Sequence, residues 1–413
     1  MKEPVFGILL CGVEQNVVTS LSMAESILSF PGASSAPVID HTLEYVFGDR
    51  GPIRNLNSAS RRELDQNRRN LLMREPNTAE KASPVIRLVR HEIPNLVTFS
   101  RSLVDQTPWE RASNVTVVSA GSDVLCEANL FSLVRHFVGH ITTLAFMGQA
   151  LVDISPGLLD DLRILDEHFL TLSMDAHWLP LPGMSPVYAA RGRLHQALAC
   201  FHDALAAWED GADLGVRSHD FDDVSEAVKQ QARIFKNSGL SGQSSAPGHL
   251  SLLWAMNAQT SNIVFWTVLR IFADTTLLED IRKEIAPYAK ASRPTPEETG
   301  FPFQEPPRIS IDSDGLCSAC PLLRACYYEA VRLDSAPLSF RKLTSDLTLT
   351  GPSEDASVAG STHPRTYQLR KGDNIAIPYG IFHKDAQHFS DPDQFNPQRV
   401  IQTNETGAKE VYT

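Results

Sequence analysis

The pattern of hydrophobic and polar positions predicts a short β start, a long helical body and a β-rich end. Residues 4–10 form a short apolar run that we interpret as a buried strand at the start of a sheet. From residue 129 to 148 the apolar positions recur at helical spacing, and Gly148 is a plausible stop signal. Residues 157–173 and 187–208 predict further helices with one apolar face.

Residues 250–272 predict the longest apolar helix of the chain. It is apolar on nearly every face, which is typical of a helix that runs through the middle of a protein. A membrane span is the alternative, but the polar side chains at its centre would need partners in lipid. Those polar residues are Asn257, Gln259, Thr260, Ser261 and Asn262.

Glycine, serine and proline mark two connections around these helices. The Gly- and Ser-rich segment 238–248 predicts a flexible connection. The segment 178–186 contains three prolines and predicts a loop, although it is unusually apolar for a solvent-exposed one.

Beyond residue 333 the hydrophobic period changes from helical to alternating. Segments 338–349 and 367–378 predict strands, and the second turns at residues 371–373. We therefore expect a mainly α fold with a small β region formed from both chain ends, an α+β arrangement. The expected division of the single domain 1–413 is a β-rich part, residues 1–40 plus 337–400, and a helical part, residues 41–335.

Composition excludes some classes of function. The 413 residues can bury a large core. The net charge of −12 disfavours a nucleic-acid-binding protein, because phosphate contacts need a basic surface. A P-loop, a dinucleotide glycine motif and a nucleophile elbow are all missing from the sequence, which disfavours kinases, dehydrogenases and hydrolases.

The cysteines do not indicate a metal site or a disulfide framework. Six cysteines are too few for a disulfide scaffold in a chain of 413 residues. Cys317, Cys320 and Cys326 have a spacing that resembles part of a zinc site, but a fourth ligand at finger-like spacing is missing from the sequence. Buried or surface thiols are the better interpretation.

Three charged residues carry the most specific pattern. Glu329 and Arg332 lie three positions apart on one predicted helix, so their side chains share a face and can pair. Arg399 follows in the segment Phe395-Asn-Pro-Gln-Arg399 and could share the Glu329 carboxylate through bidentate hydrogen bonds. A buried network of this kind fixes a loop in one arrangement if all its members are satisfied.

Glu-x-x-Arg, a strand pair and Phe-x-Pro-x-Arg, in this order, resemble the pattern of the cytochrome P450 family. The long helix with a central Thr260 falls where that family has its oxygen-activating helix, and the helix sequence is most similar to the sterol 7α-hydroxylase and prostacyclin-synthase branch, in a fungal form. The resemblance covers nearly the whole chain and implies a helical prism. It identifies the chain as one incomplete domain of this fold.

The resemblance also implies roles for individual residues. Glu329, Arg332 and Arg399 would form a structural triad behind the haem, and Arg341 would pair with a haem propionate next to Ala258. Thr260 would take part in oxygen activation together with Gln259. The substrate would contact residues from two segments, namely Trp254 and Asn257 on the helix and Pro337, Leu338, Ser339 and Phe340 before the strand.

Two positions depart from the family pattern. Gln259 stands where an acidic residue is usual, and an amide cannot donate a carboxyl proton at any pH. Asn257 stands where a glycine is usual. Both departures fit an isomerase or dehydratase on the same scaffold, which rearranges its substrate without external oxygen. Gln259 and Thr260 could also be ordinary polar groups that bond within a helix bundle.

The activity implied by the resemblance is a haem-dependent monooxygenation of a lipophilic small molecule, such as a sterol, a lipid or a secondary metabolite. Electrons would come from NADPH through cytochrome P450 reductase. The family implies an intracellular enzyme at the endoplasmic reticulum membrane, and the apolar segment 178–186 fits a peripheral membrane contact. We expect no transmembrane segment in this chain.

The family's iron ligand is a cysteine thiolate in a loop that follows the Phe-x-Pro-x-Arg segment. The sequence ends at Thr413, 14 residues after Arg399, and we expect no cysteine of this chain to ligate iron. The six cysteines outside such a loop are Cys11, Cys126, Cys200, Cys317, Cys320 and Cys326. A non-catalytic, haem-free remnant is therefore a third hypothesis.

Overall fold

A computed structural model describes residues 3–10, 13–72, 78–120, 123–174, 181–212, 220–292, 296–300, 308–351, 364–403 and 409–411. Helices dominate it, and small antiparallel pairs and one larger sheet flank them. The expected mainly α fold with a small β region is confirmed.

The helices differ in length from four residues to 26. In chain order they are α1 (Leu21–Ser29), α2 (Ala36–Tyr45), α3 (Ser58–Leu72), α4 (Thr78–Glu92), α5 (Pro108–Ala112), α6 (Leu130–Ile154), α7 (Leu158–Glu167), α8 (Phe169–Ser173), α9 (Met184–Glu209), α10 (Glu226–Asn237), α11 (Gly242–Asn257), α12 (Thr260–Ala273), α13 (Thr275–Ile285), α14 (Pro296–Thr299), α15 (Ser313–Ala319), α16 (Pro321–Asp334) and α17 (Tyr379–His383). Ile93–Asn95 and Pro397–Val400 are 3₁₀ turns.

The strands are short. They are β1 (Val5–Leu10), β2 (Val13–Val18), β3 (Ala33–Ser34), β4 (Thr116–Ala120), β5 (Asp123–Glu127), β6 (Ala289–Ser292), β7 (Arg308–Ile311), β8 (Leu338–Leu343), β9 (Leu347–Thr350), β10 (Thr366–Leu369), β11 (Asn374–Pro378), β12 (Ile401–Thr403) and β13 (Lys409–Val411). The larger sheet has the order β1-β2-β11-β8-β3, and β2 and β11 run parallel to each other. Both chain ends therefore build one sheet.

The first strand is not buried, contrary to the sequence interpretation. β1 is the edge of the larger sheet and pairs with β2 alone among the described strands. Val5 is buried, but Ile8 is 41% exposed and Leu9 is 75% exposed. An apolar run of this length predicts a strand correctly, but it cannot tell a central strand from an edge strand, because that depends on which distant strand pairs with it.

The main hydrophobic core lies where α6, α9, α10 and α11 meet. Its largest fully buried side chains include Phe201, Phe221 and Phe235. A buried polar pair crosses it: the ring nitrogens of His202 on α9 and His249 on α11 lie 3.0 Å apart. Complete burial, with smaller contributions from His202 and Arg68, lowers the pKa of His249 to about 3, so this imidazole is neutral at neutral pH.

Segment 238–248 is not a flexible connection, because helix α11 already begins at Gly242. The small residues serve close packing instead. A Cβ atom at position 242 would lie 2.6 Å from the Ala199 carbonyl oxygen of α9, and one at position 248 would lie 2.5 Å from the Phe235 ring. Glycine composition alone cannot distinguish a linker from a helix that packs tightly against its neighbour.

One expected helix boundary is present and another differs. Gly148 has φ +73° and ψ 175°, which are not helical values, so a helix stops there as expected and a second one follows it within α6, up to Ile154. Helix α9 begins at Met184, so the last three residues of the expected loop 178–186 are helical. Pro186 is compatible with this because the first turn of a helix needs no backbone donor there. Residues 178–180 lie outside the described part of the chain.

Among the described residues, one helix, α6, is long and apolar enough to cross a membrane by length and composition. Just over half of its most apolar window, 56%, is buried within the protein. A core helix of a globular protein passes the same test.

Candidate functional site

The Glu329 carboxylate accepts hydrogen bonds from two guanidinium groups and one backbone amide. Arg332 donates from Nε to Oε2 and from Nη2 to Oε1, each over 2.8 Å. Arg399 donates from Nε to Oε1 over 2.9 Å, and the Asn396 backbone N–H donates to the same oxygen over 3.0 Å. The structure thus brings the three predicted triad residues together around a side chain with 0% exposure.

The same guanidinium groups hold the surrounding loop by its carbonyl groups. Arg332 donates to the carbonyl oxygens of His383 and Pro392 over 2.6 and 2.7 Å. Arg399 donates to the Ser390 carbonyl oxygen over 2.7 Å, and both arginines donate to the Gln394 carbonyl over 3.2 Å. Because these carbonyls belong to the last residue of α17 and to the irregular segment after it, the arginines replace the hydrogen bonds that regular structure would supply.

Electrostatics keep Glu329 ionised. Burial by itself would raise the pKa of this carboxyl group, but the hydrogen bonds from Arg332, Asn396 and Arg399 outweigh burial and hold the pKa below its ordinary value. A buried carboxylate with two cationic partners and a backbone donor is a satisfied network, which is the condition for it to stabilise one loop conformation.

The central helix is broken at the predicted catalytic position. Residues 250–272 were expected to form one helix, but α11 ends at Asn257 and α12 begins at Thr260. Side chains occupy the carbonyl groups at the break: Thr260 Oγ1 donates to Met256 O over 3.2 Å, and Ser261 Oγ donates to Asn257 O over 3.2 Å. Asn262 Nδ2 donates to Ala258 O over 2.9 Å.

The physical reason for the break is the run of polar residues. Side chains that bond to the carbonyl four residues back compete with the backbone N–H groups for the same acceptors and disturb a helix. The regular pattern resumes where the Ile263 N–H donates to the Gln259 carbonyl oxygen over 3.1 Å. The apolar pattern alone predicted one continuous helix because it did not weigh this competition.

The predicted residues of the helix divide between two faces. Gln259 and Thr260 are exposed. Trp254, Asn257 and Ala258 instead line a small cavity that α6 and α7 close. Positions three and four apart share a helix face, so these three residues lie together on a different side from Gln259.

The small cavity has polar side chains in a largely apolar wall. It has a volume of about 30 Å³, which is room for a water molecule. Asn257 is buried, and its Oδ1 atom has no hydrogen-bond partner among the described residues. The cavity is also lined by Arg135, His136 and Asp166. Asn257 therefore presents an unused acceptor where a water molecule would find several polar partners.

His136 connects this cavity to the surface. Its Nε2 atom lies 3.8 Å from Oδ1 of Asp160, whose side chain is 61% exposed. Burial lowers the pKa of His136, and the charge of Asp160 offsets part of that effect. Asp166 accepts hydrogen bonds from the Trp254 indole over 2.9 Å and from Arg135 over 2.6 Å.

Arg341 and the segment before it lie on the larger sheet. Arg341 is a half-buried residue of β8, and its Nη1 atom donates to Ser339 Oγ over 2.7 Å and to the Phe340 carbonyl over 2.8 Å. Of the carboxylates in the described ranges, none lies within ion-pair distance of its guanidinium group. Pro337 and Phe340 are half-buried, and Leu338 is 49% exposed.

The described cysteines are free thiols. Burial raises the pKa of Cys326 to about 12, with smaller effects from Glu284 and Glu329, and it also raises the pKa of Cys126 and Cys320. Cys317 and Cys200 are exposed on helices. Cys11 lies outside the described residues, and within those residues no group of three or more metal-ligating side chains occurs.

Sequence reasoning missed several residues that position the site. Arg270 of α12 pairs with Asp334 at the end of α16 over 2.7 Å, which ties the broken helix to the triad helix. Glu284 accepts from the Leu322 and Leu323 N–H groups over 2.9 Å each and so caps α16. These contacts join residues 38 to 64 positions apart, and no local pattern marks them.

Comparison with known proteins gives a consistent result. The family model described as "Cytochrome P450" matches residues 236–412. The chain is 28% identical over 249 residues to cytochrome P450 7A1 of Oryctolagus cuniculus, a match that covers 60% of this chain and 42% of the relative. It is 24% identical over 306 residues to the cytochrome P450 monooxygenase poxD of Penicillium oxalicum, covering 74% of this chain and 54% of the relative.

The fold also resembles a solved structure. The retinoic acid-bound cyanobacterial CYP120A1 superimposes with a TM-score of 0.58 at 16% identity, and the alignment covers 96% of this chain and 74% of that one. At this identity the likeness establishes the fold. The matches to the two relatives span about half the length of each.

Proposed function

This chain belongs to the cytochrome P450 family, and we propose that it serves as a haem-dependent monooxygenase of a lipophilic small molecule. Two further relatives are named cholesterol 7-alpha-monooxygenase, of Cricetulus griseus (28% identical over 195 residues), and 25-hydroxycholesterol 7-alpha-hydroxylase, of Rattus norvegicus (26% identical over 155 residues). These names support a sterol as the substrate, and we propose a sterol, a lipid or a secondary metabolite as the substrate class. We further propose NADPH as the electron source, a partner reductase as the donor, and a peripheral membrane contact.

The observation that carries the proposal is the broken central helix above a satisfied triad. The break leaves Thr260 exposed, and three consecutive carbonyl groups are held by side chains instead of by the backbone. Arg270 and Asp334 connect this helix to α16, whose Glu329 and Arg332 fix the segment that leads to Arg399. The ion pairs of α16 thus hold the interrupted helix α11–α12 in place, and the polar side chains at its interruption suit a site where small polar molecules react.

Part of the described chain fits haem. Arg341 carries a charge that is not compensated by a described carboxylate, which suits a haem propionate. The exposed side chains of Gln259 and Thr260 suit contact with a group outside the polypeptide. The described cysteines do not fit the thiolate position. Three have raised pKa values, and the other two, Cys200 and Cys317, lie on α9 and α15 instead of in the segment after Arg399.

Haem, when bound, supplies the iron at which dioxygen is activated for insertion of one oxygen atom into the substrate. The chain's own residues would orient the substrate and move protons. Thr260 offers a hydroxyl at the break. On another face of the helix, Asn257 and His136 line the small cavity, and His136 Nε2 lies 3.8 Å from Oδ1 of Asp160. We propose that Asp160, His136 and a water molecule in this cavity carry protons to the helix, because Gln259 has no acidic proton to give.

One observation favours a second candidate function. Gln259 is exposed and neutral at the position where a proton donor would be expected, which suits a haem-dependent isomerase or dehydratase that rearranges an oxygenated lipid. Such an enzyme would turn over without NADPH and reductase. Dependence on both would exclude it.

The carbon monoxide difference spectrum of the reduced protein tests the proposal. It would be recorded for the chain as printed and for any longer form that its gene encodes. A thiolate-type Soret band in either form supports a haem-thiolate enzyme, and the band combined with NADPH-dependent product formation supports the monooxygenase. Absence of the band in both forms would refute the proposal and favour a haem-free protein.

His136 allows a second test of the proton path. In a form that shows the band, His136→Gln should lower turnover while the spectrum stays unchanged. The effect should be largest at low pH, where the imidazole is protonated, and should shrink as pH rises, because burial lowers the pKa of His136. A variant with unchanged turnover at every pH would remove His136 from the path.

A further inference from the structure

Two buried histidines join helices α9, α10 and α11 at the centre of the main core. His202 of α9 is 2% exposed, and His249 of α11 is completely buried. Nδ1 of His202 lies 3.0 Å from Nε2 of His249, and Nδ1 of His249 lies 3.3 Å from the side-chain nitrogen of Gln231 on α10. A chain of hydrogen bonds between uncharged groups therefore links the three helices.

The backbone of α11 fixes the direction of each hydrogen bond in this chain. The side-chain nitrogen of Gln231 also donates to the Gly248 carbonyl oxygen over 3.3 Å, and this contact sets the orientation of the amide because a carbonyl oxygen only accepts. Nδ1 of His249 therefore accepts from Gln231, and the one proton of this neutral ring is on Nε2. The Nε2–H group of His249 then donates to Nδ1 of His202.

An additional proton finds no acceptor in this arrangement. A proton on Nδ1 of His202 would face the Nε2–H group of His249, and a proton on Nδ1 of His249 would face the amide N–H groups of Gln231. Rotation of the Gln231 amide would offer an oxygen to His249, but the same oxygen would then face the Gly248 carbonyl oxygen. Because a buried donor without an acceptor is costly, protonation of either ring requires the two rings to move apart.

Among the described residues, three charged groups act on the pair, and two of them are cations. Burial lowers the pKa of His202, Asp203 on the same helix offsets part of this effect, and Lys236 of α10 adds to it. The pKa of His249 is lowered to about 3, first by burial and then by His202 and by Arg68 of α3. Burial and the two cations therefore both favour the neutral form of the rings.

Close packing of the helices keeps compensating groups away from the pair. A Cβ atom on Gly242 of α11 would lie 2.6 Å from the Ala199 carbonyl oxygen of α9, and one on Gly248 would lie 2.5 Å from the Phe235 ring of α10. The Asp203 carboxylate is already engaged, because its Oδ1 atom accepts from the Gly242 N–H group over 3.1 Å. A protonated ring would therefore gain a counter-ion only if α9 moved relative to α11.

We propose that His202 and His249 form an acid-sensitive latch between α9 and α11. When either ring takes up a proton, the chain of hydrogen bonds breaks and α9 separates locally from α11, while the Glu329 network stays closed. Helix α11 ends at Asn257, about two turns after His249, so the latch couples mild acidification to the helix that leads to the break before Thr260. The latch works with or without haem, so it is independent of the proposed function.

The pH range of the latch follows from proton uptake. In the open state the two histidines have the ordinary pKa of 6.5, whereas burial lowers it in the closed state. The closed state is therefore fully favoured above pH 6.5 and loses this advantage as pH falls towards the folded value, which is about 3 for His249. Between pH 6 and pH 5 the opening constant should rise about tenfold for each proton that opening takes up.

Hydrogen–deuterium exchange of the full 413-residue chain between pH 7 and pH 5 tests the proposal. After correction for the intrinsic rate of amide exchange, peptides from α9 and α11 should exchange about tenfold faster at pH 5 than at pH 6. Peptides from α16, which carries Glu329, should change far less over the same range. Equal acceleration in α9, α11 and α16 would indicate global acid unfolding, and no acceleration in α9 and α11 would also overturn the latch.

A double variant assigns the pH response to the pair. In His202→Asn with His249→Gln, amide groups keep an acceptor and a donor near the positions of the ring nitrogens but take up no proton in this range. The acceleration in α9 and α11 should disappear, whereas the control His91→Gln, at a side chain that is 78% exposed, should keep it. A double variant with the native pH response would contradict the assignment. The exchange profile of the native chain needs no substitution, so it decides the question even if the double variant does not fold.

Discussion

The Glu329 network and a cavity of about 420 Å³ between α2, the turn 48–51, α8 and the start of α9 both contain several arginines, but their charges are compensated differently. The cavity is lined by Arg50, Arg54 and Arg191 and by the carboxylates of Glu44 and Asp49. Around Glu329, two guanidinium groups share one carboxylate, and their other N–H groups reach loop carbonyls. In the cavity, both acids are engaged by Arg54, and Arg50 and Arg191 keep uncompensated charge among the described residues. The first arrangement is complete as a structural element, whereas the second leaves Arg50 and Arg191 without a carboxylate partner among the described residues.

This difference teaches how to separate a structural arginine from a ligand-binding one. Exposure alone does not separate them, since Arg399 of the Glu329 network and Arg191 of the cavity are both half-buried. The count of acceptors does. An arginine whose donors are all satisfied stabilises the fold, and removing its partner is costly, whereas an arginine with spare charge can be changed with little loss of stability.

The largest effect that this comparison predicts is for Glu329→Gln. The change leaves two buried guanidinium groups without their carboxylate, so the free energy of unfolding should fall by about 3–5 kcal/mol. Urea denaturation followed by circular dichroism measures it. The control is Glu44→Gln in the cavity, where the partly exposed ion pair contributes about 1 kcal/mol or less. A similar loss in both variants would erase the distinction between the two regions.

The next effect concerns Arg399→Lys. Lysine keeps the charge but cannot reach the Glu329 carboxylate and the loop carbonyls together, so we expect a loss of about 2 kcal/mol. The loop 389–399 should also become more sensitive to proteolysis. Arg50→Lys is the matched change in the cavity and should cost almost nothing. Retained stability in Arg399→Lys would show that charge alone, and not the fork of donors, fixes the loop.

A smaller effect is expected for Gly48→Ala beside the cavity. Its φ of +75° alone disfavours alanine by about 1 kcal/mol, and the contact with His195 adds to that. Gly211→Ala is the control, because Gly211 has φ +71° and no atom within 4 Å of the added Cβ. Thermal unfolding should show a larger loss for position 48. Equal losses would mean that the turn and α9 are not tightly coupled.

The smallest predicted effect concerns the pH dependence of folding stability. The pKa of Glu329 is lowered in the folded state, so its contribution to stability is present above the ordinary carboxyl value of 4.5 and is lost as pH falls through the folded value. Stability of the native chain should decline below about pH 4.5, and Glu329→Gln should decline less steeply. Parallel curves for the two proteins would show that other carboxyl groups control acid unfolding.

The sequence predicted the triad and the fold class because both rest on strong local signals. The spacing of Glu329 and Arg332 places them on one helix face whatever surrounds them, and the change of period after residue 333 marks the β region. The break between Asn257 and Thr260 was missed because apolar spacing continues across it. The side chains of Thr260, Ser261 and Asn262 compete with backbone N–H groups for carbonyl acceptors, and this competition does not change the hydrophobic pattern of the sequence.

Other features could not be predicted because they depend on residues that are distant in the sequence and meet only in the folded chain. The cavity with Arg50 and Arg191 joins residues more than a hundred positions apart, and each arginine looks ordinary in the sequence. Gly242 and Gly248 suggested a linker because their neighbours on α9 and α10 cannot be identified from composition. Whether a glycine lies in a linker or in a tightly packed helix depends on its packing partner, and the local sequence does not identify that partner.

The parallel pairing of β2 with β11 has a consequence for biosynthesis. Asn16 donates to the carbonyl oxygen of Asn374, 358 residues later. At a ribosomal rate of about 5–20 residues per second, the second strand waits roughly 20–70 s for this neighbour. During that time the hairpin of β1 and β2 exposes an unpaired edge, which other chains can join. Nascent molecules should therefore need chaperone protection until residue 378 has left the ribosome.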